Sequence, residues 1–150
     1  MSTQRPLFEP PKEWNPPQSL PDLSEAKEIA IDLETYDPGI KDTGPGWATN
    51  RGHVVGIAIA VDGFKGYYPL RHEGGGNFDE DVLREQLKKY FENDSDKIFH
   101  NASYDLGWLK NWGINCKGKI IDTMVAAALI DENRMPGQYN LNAVAKDYIQ

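Results

Sequence analysis

Ile29–Tyr36 reads "IAIDLETY", and the fold turns on how its alternation is understood. Ile29, Ile31 and Leu33 fall on one side of an extended chain, with Ala30, Asp32 and Glu34 on the other, the period of two that marks a strand. Two carboxylates therefore share one face. A strand with one wet face also alternates in this way, so the stretch alone leaves open whether solvent or chemistry asked for the acids.

Reading outward, "YDPGIKDTGPGWATNRG" is a Gly/Pro-rich loop, and "HVVGIAIAVDGFKGYYPL" reads as two strands turned at Asp62-Gly63, a strong hairpin signal. "RHEGGGN" is expected to be a flexible loop. Then "FDEDVLREQLKKYFEN" places Val82, Leu83, Leu87, Tyr90 and Phe91 at helical spacing behind an acidic first turn. "DKIFHN" predicts a fourth strand, and "ASYDLGWLKNWGI" a helix with Leu106, Leu109 and Trp112 on one stripe, closed by Gly113. "KIIDTMVAAALID" predicts a short strand, an Asp or Thr cap and an apolar helix. A last helix is expected over Leu141 to Ile149. Three early strands followed by alternating helices and strands describe an α/β fold: a mixed sheet whose later strands lie parallel. Sites in such sheets collect at strand ends.

The chain has 150 residues, enough for one domain with a real core. Residues 1–26 hold six of the ten prolines and read as an extended arm, leaving 27–150 as the folded domain. No apolar run approaches the roughly 18 residues of a membrane span and no signal segment opens the chain, so a cytoplasmic protein without membrane contact is expected. Cys116 is the only cysteine, which rules out an internal disulfide and a cysteine metal cage. His53, His72 and His100 are too scattered for a histidine metal site. Net charge is −7, which argues against a broad basic grip on nucleic acid. The acids crowd one half: Asp22 to Asp81 carries 12 acids and 5 bases, Leu83 to Lys119 only 5 acids and 7 bases. Divalent cations among those acids would let a polyanion bind.

A second segment, "HNASYDLGWL", sets Asn101 and Asp105 four residues apart after the fourth strand. Singly they are ordinary, a helix cap and a first-turn acid. If the first and fourth strands are neighbours, however, Asp32, Glu34 and Asp105 converge. At about 4 Å and an effective dielectric near 20, each pair of like charges costs about 4 kcal/mol, and oxygen-rich clusters of that kind suit Mg²⁺ or Mn²⁺. Two ions about 3.5–4 Å apart serve phosphodiester cleavage, one generating hydroxide and both stabilising charge.

These segments resemble a known family. "IAIDLETY" is similar to the first, Asp-x-Glu, motif of the DnaQ-like (DEDD) 3′-5′ exonucleases, and "HNASYDLGWL" to the second, Asn-x-x-x-Asp. The likeness is to the proofreading domain of bacterial and phage family A DNA polymerases, in which "IIDTMVAAALID" and "YNLNAVAKDY" also have counterparts, and it spans about Glu28 to Gln150. It implies a ribonuclease H-like fold, two Mg²⁺ or Mn²⁺ ions and hydrolysis at a single-stranded or frayed DNA 3′ end. Asp32 would bridge both ions, Glu34 would hold the one that activates water, and Asp105 the other. Asn101 would help fix the substrate strand or the second-motif turn, and the backbone around Thr35 would sit against the terminal nucleotide. For His100, beside Asn101, two readings stand: a structural role, which is favoured, and contact with the DNA. Asp122 is read as a helix cap.

The family's third motif, Tyr-x-x-x-Asp or His-x-x-x-x-Asp, is absent. Asp147 is preceded at the required positions by Ala143 and Asn142, and Tyr148 would need an acid past Gln150. The resemblance therefore implies a domain lacking its closing helix, weakly active alone, and completed by a polymerase domain or a second polypeptide. The rival expectation is an inert module that binds nucleic acid or a polymerase without cutting.

Overall fold

The computed structural model describes residues 15–149. Its elements run β1 (Glu28–Tyr36), α1 (Ile40–Thr43), α2 (Gly46–Thr49), β2 (His53–Val61), β3 (Phe64–Pro69), α3 (Glu80–Phe91), β4 (Asp96–Phe99), α4 (Ala102–Asn111), β5 (Ile120–Asp122), α5 (Thr123–Ile130) and α6 (Leu141–Tyr148). The strands form one sheet in the order β3-β2-β1-β4-β5. Tight turning at Asp62-Gly63 forces β2 and β3 antiparallel, and β2 also runs antiparallel to β1. Parallel neighbours need a long crossover: α3 returns the chain to lay β4 beside β1, and α4 does the same for β5. The mixed α/β expectation is met.

The apolar half of the β1 alternation makes the core. Ile29, Ile31 and Leu33 are 0%, 3% and 7% exposed. Ile59 stands opposite Ile31 and Ile57 opposite Leu33, and α3 and α4 cover this face with Leu83, Leu87, Phe91, Trp108 and Leu109. The buried stripe of α3 is Leu83-Leu87-Phe91, at four-residue steps, whereas Val82 is 56% exposed. Asp79 is the reason. Its side chain accepts from the Val82 amide as the N-cap, which fixes where the helix starts and turns Val82 off the stripe. In α4 the fully buried positions are Ala102, Asp105, Trp108 and Leu109, with Leu106 and Trp112 only partly covered.

Two expectations about loops are corrected. The 36–52 stretch contains the one-turn helices α1 and α2, and Trp47 packs so closely on α4 that a Cβ at Gly107 would collide with its indole. "RHEGGGN" is pinned at its start. Arg71 grips Glu80 through two bonds of 2.9 Å, the His72 amide donates to Asn77 Oδ1, and Asn77 Nδ2 donates back to the His72 carbonyl, both at 2.8 Å.

The expected arm begins before the described residues. From Ser19 onward the chain lies against the domain: Leu23 is 3% exposed within the core, and the Tyr68 hydroxyl donates to the Ser19 carbonyl at 3.3 Å. No described helix is long and apolar enough to cross a membrane.

Candidate active site

β1 pairs with β4 only from Glu28 to Ala30, then continues to Tyr36 while β4 stops at Phe99. Asp32 and Glu34 ride on this overhang, both exposed. The space that β4 vacates is filled by the turn His100-Asn101 and the first turns of α4. That brings in Asp105, 3% exposed. The Asp105 carboxyl is raised to about 7, by burial first and the Asp32 charge second, with the Leu33 backbone amide pulling it back and Asp122 and Glu34 adding to the rise. Asp32 is raised as well, by loss of surrounding water first, against a lowering pull from His100.

The structure thus brings Asp32, Glu34 and Asp105 within range of one another's charge. Among the described residues no three His, Cys, Asp or Glu side chains form a ready-made ligand cluster, so the acids are gathered without being clasped. Two charged side chains are buried among the described residues, and the difference between them is informative. The Lys97 ammonium is satisfied by the Asn93 carbonyl and Oδ1 at 2.7 and 2.9 Å and by the Ser95 carbonyl and Oγ at 2.7 and 3.0 Å. Asp105 instead faces other acids. A buried carboxyl with like-charged neighbours is the mark of a site more than of a scaffold, and the all-oxygen donor set fits a hard divalent cation.

Asn101 occupies the cap position of α4 in the left-handed region, with φ of 71°. Its side chain makes no cap bond. The capping is done from the next strand: Asp122 Oδ1 accepts from the Asn101 amide at 3.0 Å, and Oδ2 from the Ala102 amide at 2.8 Å. Asp122 Oδ1 also accepts from Met124 and Val125 at 2.9 and 3.4 Å. It is the helix cap expected, for α5 and for α4 together. Burial works to raise its pKa, but the four amides outweigh it and hold the carboxyl below its ordinary value.

Thr35 is tied into a chain that the sequence did not reveal. Its hydroxyl lies 2.9 Å from the Tyr104 hydroxyl, which donates to Asp37 Oδ2 at 2.9 Å, and Asp37 also receives the Gly46 amide at 3.0 Å. Tyr104, next to Asp105 in sequence, ties the end of β1 to the start of α4. His100 has both ring nitrogens engaged within the protein: Nε2 donates to the Tyr139 carbonyl at 2.7 Å and Nδ1 lies 2.9 Å from Thr123 Oγ1. Its imidazole therefore braces α5 and the Tyr139 loop against the strand that ends beside Asp32.

A five-stranded mixed sheet in this order, helix-packed and with acids at the overhang of its central strand, is a ribonuclease H-like domain. The chain belongs to the 3′-5′ exonuclease family, whose model matches residues 18–150. A DNA-directed DNA polymerase of Pseudomonas phage M6 is 36% identical over 154 residues, covering 95% of this chain and 22% of the polymerase. DNA polymerase I of Borreliella burgdorferi is 31% identical over 128 residues, covering 85% and 13%. The chain thus spans less than a quarter of the length of these relatives. Among solved structures, NrnC of Brucella melitensis with bound Mg²⁺ superimposes with a TM-score of 0.61 at 20% identity, over 86% of this chain and 57% of that one. RNase D of Escherichia coli, an exoribonuclease, gives 0.59 at 18%, over 85% and 29%. At these identities the structural likenesses carry the fold.

Proposed function

We propose that this domain is the proofreading-type 3′-5′ exonuclease of a polymerase of the DNA polymerase I type, hydrolysing the last phosphodiester of a single-stranded or frayed DNA 3′ end with two Mg²⁺ or Mn²⁺ ions. The observation that carries it is the buried carboxyl of Asp105, raised to about 7 beside Asp32 and Glu34. That arrangement is unfavourable alone and favourable around cations. DNA is preferred as substrate because the curated relatives are DNA polymerases.

Bound at this site, divalent ions supply charge for the scissile phosphate and lower the pKa of the attacking water. Asp32, Glu34 and Asp105 would hold the ions, with Asp32 as the shared ligand that the family resemblance implies. Asp105 gives up its proton when a cation binds. Asn101 and the Thr35 backbone flank the terminal nucleotide, and His100 keeps the adjoining strand end in place.

The remaining acid we assign to a segment of the polymerase or to a second polypeptide. Support comes from a groove of about 700 Å³ on the sheet face beside Asp32, with apolar lining from Ala30, Ala58, Ala60, Ile98 and Leu141. At the ends of α5 and α6, Leu129, Ile130 and Ile149 are 84%, 69% and 74% exposed. Apolar surface of this kind marks an interaction site.

The test is release of nucleoside monophosphates from a 3′-labelled oligonucleotide at high protein concentration. Mn²⁺-dependent cleavage that Asp32→Ala abolishes is the expected result. Cleavage surviving that substitution or chelator would overturn the reading, and binding of DNA without any cleavage, unaffected by chelator, would favour the inert module.

A further inference from the structure

The side of the acids away from α4 is built by β2 and β3, and their register places a second aromatic hydroxyl there. Asp32 stands opposite Ala58, Ala58 opposite Tyr67, and Glu34 opposite Gly56. Direct partners share a sheet face, so Tyr67, Ala58 and Asp32 form one row across three strands. Neighbouring strands lie about 4.8 Å apart, and a tyrosine on β3 can reach toward β1 only where β2 is bare. Gly56 makes it bare: a Cβ there would collide with the Tyr67 hydroxyl oxygen and Cζ. The phenol oxygen therefore rests on the residue that faces Glu34. Burial raises the Tyr67 phenol pKa, and the charges of Glu34 and Asp32 raise it further. Tyr67 and Asp32 also line the same groove.

The other side of the phenol is braced. Its oxygen is 2.7 Å from His72 Nε2, and the His72 backbone is the one clamped by Asn77 at both its amide and its carbonyl.

We propose that Tyr67 is a positioning residue of the acid site. Its oxygen is held by His72 Nε2 within range of the Glu34 and Asp32 charges, and the absent side chain at Gly56 is the slot that admits it. What Glu34 then holds, a divalent cation, rests on the exonuclease reading above. Outer-shell partners of ligating groups typically govern metal affinity by 10–100-fold.

Two measurements on the full chain test this. In Mn²⁺ titrations followed by calorimetry, Tyr67→Phe should raise the dissociation constant about tenfold, Gly56→Ala should raise it at least as much by displacing the ring, and Asp32→Asn should abolish binding. In chelator, the melting temperatures of wild type, Tyr67→Phe, Glu34→Ala and the double variant form a cycle whose effects should fail to add, as for residues in contact. Either an unchanged Mn²⁺ affinity in Tyr67→Phe or an additive cycle overturns the proposal. Should wild type itself ignore Mn²⁺, the exonuclease reading has failed on its own account, and the cycle alone decides the coupling of Tyr67 to Glu34.

Discussion

The two faces of β1 are made from the same nine residues and obey different rules. One presents Ile29, Ile31 and Leu33 to α3 and α4 and is closed to water. The other presents Ala30, Asp32 and Glu34, and its cross-strand partners Ala60, Ala58 and Gly56 are small. Burial alone accounts for the first face. For the second, solvation accounts for the acids but not for the room kept around them, nor for Asp105 arriving buried at the open edge of the strand. The contrast separates residues chosen to fill space from residues chosen to leave it.

The largest effect should come from breaking the filled face. Phe91→Ala, at a fully buried position, should cost about 3–5 kcal/mol, read as a drop in the urea midpoint. Next is the proton on Asp105. Its folded pKa of about 7 lies above the unfolded value near 3.9, so the protonated acid stabilises the native state. That contribution is complete below pH about 4 and is lost as pH rises through about 7, amounting to at most about 4 kcal/mol. Melting temperature in chelator should therefore fall between pH 5 and 8, and Asp105→Asn should flatten the slope.

A smaller loss, about 1 kcal/mol, is expected for Asp122→Ser, which keeps a cap for α5 but cannot also serve α4. Hydrogen exchange should quicken at the Asn101 and Ala102 amides and stay slow at Met124 and Val125. Smallest is Glu34→Gln: on the open face, and still an acceptor, it should move stability by no more than about 0.5 kcal/mol in chelator.

Local patterns carried the sheet into the sequence. The alternation in 29–34, the Asp62-Gly63 turn and the cap at Asp122 each concern neighbours in the chain and could be read directly, and strand adjacency then followed from topology. What stayed hidden depends on distant partners. The second helix capped by Asp122 begins 21 residues away at Asn101; Tyr67 reaches Gly56 only because β2 and β3 pair in one particular register; and Arg71 is held by Glu80 across a glycine run that looks loose. α1 and α2 are too short to show any period. Val82 misleads because a helix face shifts with its starting residue, and Asp79, in the run that reads as an acidic first turn, is the cap that sets it.

Gly107, in the middle of α4, has a use that helix propensity hides. Against alanine it sacrifices about 1 kcal/mol of helix stability, yet the hollow it leaves is the socket in which Trp47 is seated. The 36–52 loop is thereby plugged into the same helix that carries Asp105, and with it come Asp37 and the hydroxyl chain through Tyr104 to Thr35. A single methyl group at this position would unplug the loop and leave all three acids where they are, loosening the rim of the cleft without touching its charges.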